Sequence, residues 1–245
     1  MTDRSRPLPA APRPTGANRP RILVSVRDAA EAEIAVRAGA DLVDAKDPGR
    51  GALGALAVAD VRAIAARVGG RVATSAVAGE AGADAPVGAV RAMAATGVDW
   101  VKVAVAHDAG DAVLAGMAAA APDRLIAVLF AECGDPTGTV ARLARAGFGG
   151  AMIDTRGKDG LRLADHLPPR VLAAFAEVCR AHALLCGLAG SLRVSDVPLL
   201  ARHGADYLGF RGGLCVGSDR RDALDPARVA AAVAAARGTR RRDAA

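Results

Sequence analysis

Residues 39–46 read GADLVDAK, and the pattern returns at 97–104 as GVDWVKVA, at 147–154 as GFGGAMID and at 204–211 as GADYLGFR. Each glycine closes an Ala-rich stretch of helical character and is followed by a short apolar run. A glycine there suits the left-handed residue that ends a helix. The apolar run after it reads as a buried strand. The four glycines are 58, 50 and 57 residues apart. That interval is long enough for two strand–helix pairs, so each repeat is a quarter of a larger unit.

Working outward, the strand segments fall at 21–26, 41–46, 71–77, 100–105, 124–130, 150–155, 184–189 and 207–211. Helical segments lie between them at 29–38, 57–68, 86–96, 109–121, 137–146, 168–182, 194–203 and 226–236. Eight strands alternating with eight helices predict a parallel sheet closed into a single-domain (β/α)8 TIM barrel over residues 21–236. An open doubly wound sheet usually carries a Gly-rich turn after its first strand. Val26-Arg27-Asp28 has none.

The barrel is flanked by a Pro/Arg-rich segment, 1–20, and a basic tail, 237–245, both expected to be disordered. These ends explain the charge. Residues 1–21 hold five Arg and one Asp and residues 237–245 four Arg and one Asp, so of the net +6 the body 22–236 keeps −1. A basic body that would bind nucleic acid or membrane is therefore excluded. Aromatic residues make up 2% of the chain, which argues against stacking platforms for bases or sugars. No secretory signal or membrane span is read in the sequence, and the four cysteines lack metal-ligand spacing. A cytoplasmic location, no metal and no cofactor are expected. The Ala-rich helical exterior suits a homo-oligomer.

Only three lysines, Lys46, Lys102 and Lys158, stand against twenty-nine arginines. Arginine serves wherever only a positive charge is needed. A lysine amine, unlike a guanidinium, shifts its pKa when buried and can attack a carbonyl. The repeat says where two of these amines point. Five residues past each glycine stand Asp44, Lys102, Met152 and Gly209, and seven past stand Lys46, Ala104, Asp154 and Arg211. Positions two apart share a strand face, and strands of one parity fill common layers of a barrel. Asp44, Lys46, Lys102, Asp154 and Arg211 are thus expected as one polar cluster near the barrel axis. An ordinary lysine, with a pKa of about 10.4, is neutral in roughly one molecule in 2,500 at pH 7. Burial and a neighbouring amine raise that fraction, and the carboxylates orient the amines and shuttle protons. The constellation is that of a class I aldolase.

Phosphate sites in such barrels follow strands 7 and 8. Gly190 and Ser191 in the first loop, and Arg211, Gly212 and Gly213 in the second, are the expected phosphate contacts, by backbone N–H groups and one guanidinium. The loop Asp47-Pro48-Gly49-Arg50-Gly51 is placed to close over a ligand. His107 and His166 are candidate proton donors. His182 and His203, at helix C-termini, read as structural.

These residues resemble the (5-formylfuran-3-yl)methyl phosphate synthase family. The resemblance is carried by Gly39-Ala-Asp-Leu-Val-Asp44-Ala-Lys46-Asp-Pro with Leu53-Gly54-Ala55, by Asp99-Trp-Val-Lys102-Val, and by Asp154-Thr155 with Lys158-Asp159-Gly160. Further along it rests on Asp165-His166-Leu167, Leu188-Ala-Gly190-Ser191, and Gly209-Phe-Arg211-Gly212 with Cys215 and Asp219-Arg220. It spans about residues 21–236 and leaves out both ends. The resemblance implies a (β/α)8 lyase that condenses two molecules of glyceraldehyde 3-phosphate into a furan aldehyde phosphate, a step toward methanofuran-type cofactors. It also implies that Lys46 is the Schiff-base lysine and Lys102 the proton acceptor, and that Asp44, Asp154 and Lys158 are active-site residues. Lys158 lies outside the inward layers, so its role rests on the resemblance alone.

Two other readings compete. Asp-x-Lys at the end of strand 2 is similar to the Asp-x-Lys-x-x-Asp motif of orotidine monophosphate decarboxylase-type barrels, but Gly49 stands where the third acid belongs. A non-catalytic phosphosugar sensor that touches nucleic acid through its basic ends would have no use for a buried lysine pair.

Overall fold

The computed structural model describes residues 19–79, 87–157 and 160–239. Eight parallel strands form a closed barrel in sequence order. They are β1 (Arg21–Val26), β2 (Leu42–Ala45), β3 (Ala73–Val77), β4 (Trp100–Ala104), β5 (Leu125–Phe130), β6 (Gly150–Asp154), β7 (Leu185–Leu188) and β8 (Tyr207–Phe210). The helices packed around it are α1 (Ala29–Arg37), α2 (Val58–Val68), α3 (Val87–Ala94), α4 (Asp111–Ala118), α5 (Thr137–Ala146), α6 (Leu163–His166), α7 (Pro169–Ala181), α8 (Val197–Leu200) and α9 (Pro226–Gly238). The TIM barrel read from the repeat is the fold observed.

The repeated motif has a local physical cause. Gly39, Gly97, Gly147 and Gly204 all take positive φ, between 81° and 93°, where a side chain is strained. The aspartate two residues later anchors the preceding strand. Asp41 Oδ2 accepts from Ile22 N at 2.8 Å, Asp99 Oδ2 from Thr74 N at 2.7 Å, and Asp206 Oδ2 from Cys186 N at 2.8 Å. These carboxylates satisfy backbone donors at the floor of the barrel, and so strands 2, 4 and 8 begin one residue after them. The third repeat has Gly149 in that place. A Cβ there would lie 2.1 Å from the Asp123 carbonyl oxygen, so no side chain fits.

Two differences from the expected helices have local reasons. The segment 194–203 is not one helix but a 3-10 turn, the short α8 and a second 3-10 turn. Pro198 is tolerated only in a first helical turn, and it forces the restart. Before α7, the short α6 ends where Pro168 and Pro169 follow, because a proline disfavours helical backbone in the residue preceding it. The expected terminal extensions lie outside the described residues except at their inner margins. There Arg19 pairs with Asp41 at 3.3 Å, and α9 runs to Gly238, beyond the boundary drawn at 236.

Apolar side chains form two cores. One lies between strands and helices and the other fills the barrel interior. Leu42, Trp100 and Tyr207, three residues past their repeat glycines, belong to the inner core. Tyr207 fits because β7 has Gly187 opposite, where a Cβ would fall 2.2 Å from the ring. These bulky groups plug the floor, leaving polar side chains only above them. Among the described residues, no helix is long and apolar enough to cross a membrane.

Candidate active site

Above the plug the inward positions form two tiers. In the lower one, Lys102 Nζ sits 2.9 Å from Asp44 Oδ1, with both side chains almost wholly buried. Ser25 Oγ donates to Asp44 Oδ2 at 3.0 Å and Ser75 Oγ to Oδ1 at 2.6 Å. In the upper tier Lys46 Nζ lies 4.0 Å from Asp154 Oδ2 and both groups meet the open cavity. Asp154 Oδ1 also accepts from Thr155 N at 2.8 Å. Four of the five residues expected near the axis therefore converge, in the order the strand offsets predicted.

The lower pair is electrostatically tuned. Burial pushes the Asp44 carboxyl up, but Lys102, Lys46 and the Ser75 hydroxyl together hold it below the usual carboxylate range. Burial pulls the Lys102 amine down, and the attraction of Asp44 only partly offsets this. Lys46 acts on Lys102 in the same direction as burial, since two cations disfavour each other. A lysine so placed gives up its proton more readily than one in water.

Arg211 does not join the cluster. It lines the cavity, but all five of its guanidinium N–H groups have protein partners. Nη1 and Nη2 pair with Glu31 on α1 at 2.5 and 3.2 Å, Nη1 also donates to Ser25 O, and Nη2 to Asp222 O. Nε donates to Arg220 O at 2.7 Å. The expected guanidinium contact to phosphate is replaced by a buried ion pair that ties β1, α1 and the loop after β8 together. A carboxylate at residue 31 is the partner that the strand pattern could not supply.

The remaining phosphate candidates do stand together. The cavity, about 670 Å³, is lined by Gly190, Ser191, Gly212 and Gly213 as well as by the two tiers. The backbone N–H groups of these four residues have no acceptor among the described residues. Gly190 has φ +119° and lies against Thr155, where a Cβ would come within 2.7 Å of Cγ2. A Cβ on Gly213 would lie 2.1 Å from Leu192 O. Glycine is required at 190 by its backbone conformation and the closeness of Thr155 after β6, and at 213 because the loops after β7 and β8 touch. The result is a concave set of free donors at the ends of β7 and β8, suited to an oxyanion.

Some expected residues fall elsewhere. Lys158 lies outside the described residues. His107 and His166 are not among the cavity-lining residues; among the described residues each has a buried Nε2 without a hydrogen-bond partner, that of His166 lying 4.0 Å from Glu132 Oε1. Arg50 is exposed, with its side chain near Asp47. Other residues were missed by the reading. Ser25 and Ser75 sit on odd strands, outside the even-strand repeat, although their parity was readable. Arg220, from the loop after β8, lines the cavity and donates to the carbonyls of Pro48 and Gly51, thereby strapping the loop that follows Lys46. Among the described residues no cluster of three or more His, Cys, Asp or Glu is arranged to hold a metal ion.

Comparison with known proteins adds an independent line. A family model described as 4-HFC-P synthase matches residues 22–233. The chain is 60% identical over 227 residues to a Methylorubrum extorquens protein described provisionally as a (5-formylfuran-3-yl)methyl phosphate synthase, covering 93% of this chain and 96% of that one. It is 32% identical over 221 residues to the (5-formylfuran-3-yl)methyl phosphate synthase of Methanococcus maripaludis strain C5, covering 82% and 92%. Among solved structures, a 3-hexulose-6-phosphate synthase matches with TM-score 0.64 at 19% identity, covering 88% of this chain and 99% of that one. Phosphoribosyl anthranilate isomerase from Thermotoga maritima matches with TM-score 0.64 at 13% identity, covering 89% and 99%. Likenesses at that level of identity establish the fold alone.

Proposed function

The chain belongs to the 4-HFC-P synthase family, and on that premise we propose that it is a lyase joining two molecules of glyceraldehyde 3-phosphate into (5-formylfuran-3-yl)methyl phosphate. Atom balance releases one phosphate and two water molecules. The observation that carries this reading is the pair of amines, Lys46 and Lys102, each facing its own carboxylate in one cavity of about 670 Å³. That volume lies within the range of small-molecule sites and accommodates two triose phosphates.

In this mechanism the neutral amine of Lys46 attacks the aldehyde carbon of one triose and loses water to form an iminium ion. The iminium draws electrons from the adjacent carbon, whose proton passes to Lys102. Lys102 suits the role of acceptor because burial lowers its affinity for the proton. Asp154, within 4.0 Å of Lys46, stabilises the cationic forms and carries protons during water loss. The enamine pair either expels phosphate, regenerating the iminium and leaving an enol that joins the second triose, or attacks the second triose first, with phosphate lost after a second deprotonation. Hydrolysis frees Lys46, and aromatisation of the furan drives the sequence forward. The backbone donors at Gly190, Ser191, Gly212 and Gly213 hold a phosphate and place the reacting carbon under the amines. Lys158, in the loop after β6, serves the second phosphate or the dehydration, a role that rests on the family resemblance.

Two measurements test the reading. Incubation with glyceraldehyde 3-phosphate and borohydride is expected to leave a reduced adduct on Lys46; an adduct on Lys102 would reverse the two roles. Product analysis with the triose phosphate alone is expected to show the furan from the natural protein and none from Lys46→Arg. Furan formation by that variant would remove the Schiff base from the mechanism.

A further inference from the structure

Three polar side chains stand in a row across the first three strands. Ser25 on β1 is in register with Asp44 on β2, and Asp44 with Ser75 on β3. All three are buried, at 3%, 1% and 3% exposure. A hydroxyl has one hydrogen to donate. Both serines direct theirs at the same carboxylate, one to each oxygen, at 3.0 and 2.6 Å. Lys102 reaches this carboxylate from β4 at 2.9 Å. Asp44 thus has three side-chain donors from three different strands. Simple packing does not require this arrangement, because alanine would fill either serine position with one atom fewer.

We propose that Ser25 and Ser75 are positioning residues for proton transfer, holding Asp44 as a fully bonded carboxylate so that Lys102 alternates between its charged and neutral forms. The inference rests on Lys102 being the proton acceptor of the proposed reaction. Its physical basis is a difference between two states. When Lys102 is protonated, its charge compensates Asp44 directly. When Lys102 is neutral, the carboxylate keeps a full buried charge and depends on its remaining donors. Two hydroxyl hydrogens aimed at Asp44 place positive potential beside the Lys102 amine, which disfavours its charged form and partly neutralises the carboxylate when Lys102 is neutral. The serines therefore stabilise the deprotonated pair more than the protonated pair, and they make the proton of Lys102 easier to remove. Without them the proton is held more tightly.

The other groups around Lys102 bear on this balance. Lys46 from β2 favours loss of its proton, while Asp44 from β2 and Asp154 from β6 favour retention. Tyr207 on β8 stays neutral, its phenol pushed well above its ordinary value by burial. The inward side chains of β5, Ile126 and Val128 among them, are apolar. Among the described residues, Ser25 and Ser75 are the neutral side-chain donors to the pair.

The test uses the full chain with Ser25→Ala, Ser75→Ala and Ser75→Thr. In both alanine variants the acidic limb of the kcat–pH profile is expected to move about one unit toward alkaline pH. Activity on that limb falls roughly tenfold and recovers at higher pH. Ser75→Thr restores the hydroxyl and returns the profile. A second readout does not depend on turnover. With three lysines in the chain, 13C-lysine labelling gives a spectrum in which the Lys102 signal is assigned by its loss in Lys102→Arg. Its titration is expected to shift upward in the alanine variants. If the natural protein forms no furan but this shift is present, the reaction reading fails while the serine role stands. An unchanged Lys102 titration overturns the inference whatever the turnover. So does an activity loss that is equal at every pH.

Discussion

The site holds the same two residue types twice, and the two pairs differ in what surrounds them. Asp44 and Lys102 lie 2.9 Å apart with side chains 1% and 3% exposed; Lys46 and Asp154 lie 4.0 Å apart at 14% and 12%. The lower pair sits directly on the apolar plug of Trp100 and Tyr207 and is braced by two serines. The upper pair, one step along each strand, opens into the cavity. In the proposed mechanism, depth divides the labour. A deep pair has its proton affinities set by the protein, which suits a proton acceptor. A shallow pair can be reached by a carbonyl, which suits a nucleophile.

The comparison breaks most completely at Lys46. Lys46→Arg keeps the upper charge and removes the attacking amine, and turnover is expected to fall by about 10⁴-fold or more. Thermal unfolding should change little, because the pair is partly hydrated. The lower tier should respond the other way. Asp44→Asn leaves Lys102 without its countercharge, and breaking a buried pair costs about 3–5 kcal/mol of stability. Denaturant titration is the check, and an unchanged midpoint would mean that water reaches the lower tier. Asp154→Asn is the matching change above. Its stability effect should be smaller, because the pair is wider at 4.0 Å and lines the open cavity, while kcat falls by about 10²-fold through lost proton handling.

The smallest effect is one of pH. The Asp44 carboxyl is held below its ordinary value in the folded chain. Its contribution is therefore fully present above the unfolded carboxylate pKa of about 3.9 and is lost as pH falls through the lower folded value. Acid unfolding of the natural protein should steepen below about pH 4. In Asp44→Asn that component should be missing, whereas Asp154→Asn should retain it.

Much of the barrel was legible because its signals are local. The glycines that end helices and the apolar runs after them recur at nearly even spacing, and each strand was placed to within two residues. Strand alternation also sufficed to send Asp44, Lys46, Lys102 and Asp154 to one axis. Arg211 lines the same cavity, but its guanidinium is engaged by the protein. Offset determines which face a Cβ leaves from, but a long side chain at a strand end chooses its own direction. Here the buried Glu31 carboxylate, 180 residues earlier in the chain, captures it. Ser25 and Ser75 were passed over for a different reason. They belong to odd strands, and nothing in their own sequence context marks a serine as the partner of an aspartate on the adjacent strand.

By itself, then, the sequence determined the repeat, the closure into eight units and the inward parity of two lysines and two aspartates. Helix caps and strand alternation depend on neighbours in the chain, so they can be read from it. The tertiary structure decided which lysine pairs with which carboxylate, how deeply each pair is buried, and that Arg211 serves the scaffold. Those outcomes depend on the stagger between strands and on competition among distant partners for a buried charge. Neither exists until the barrel closes.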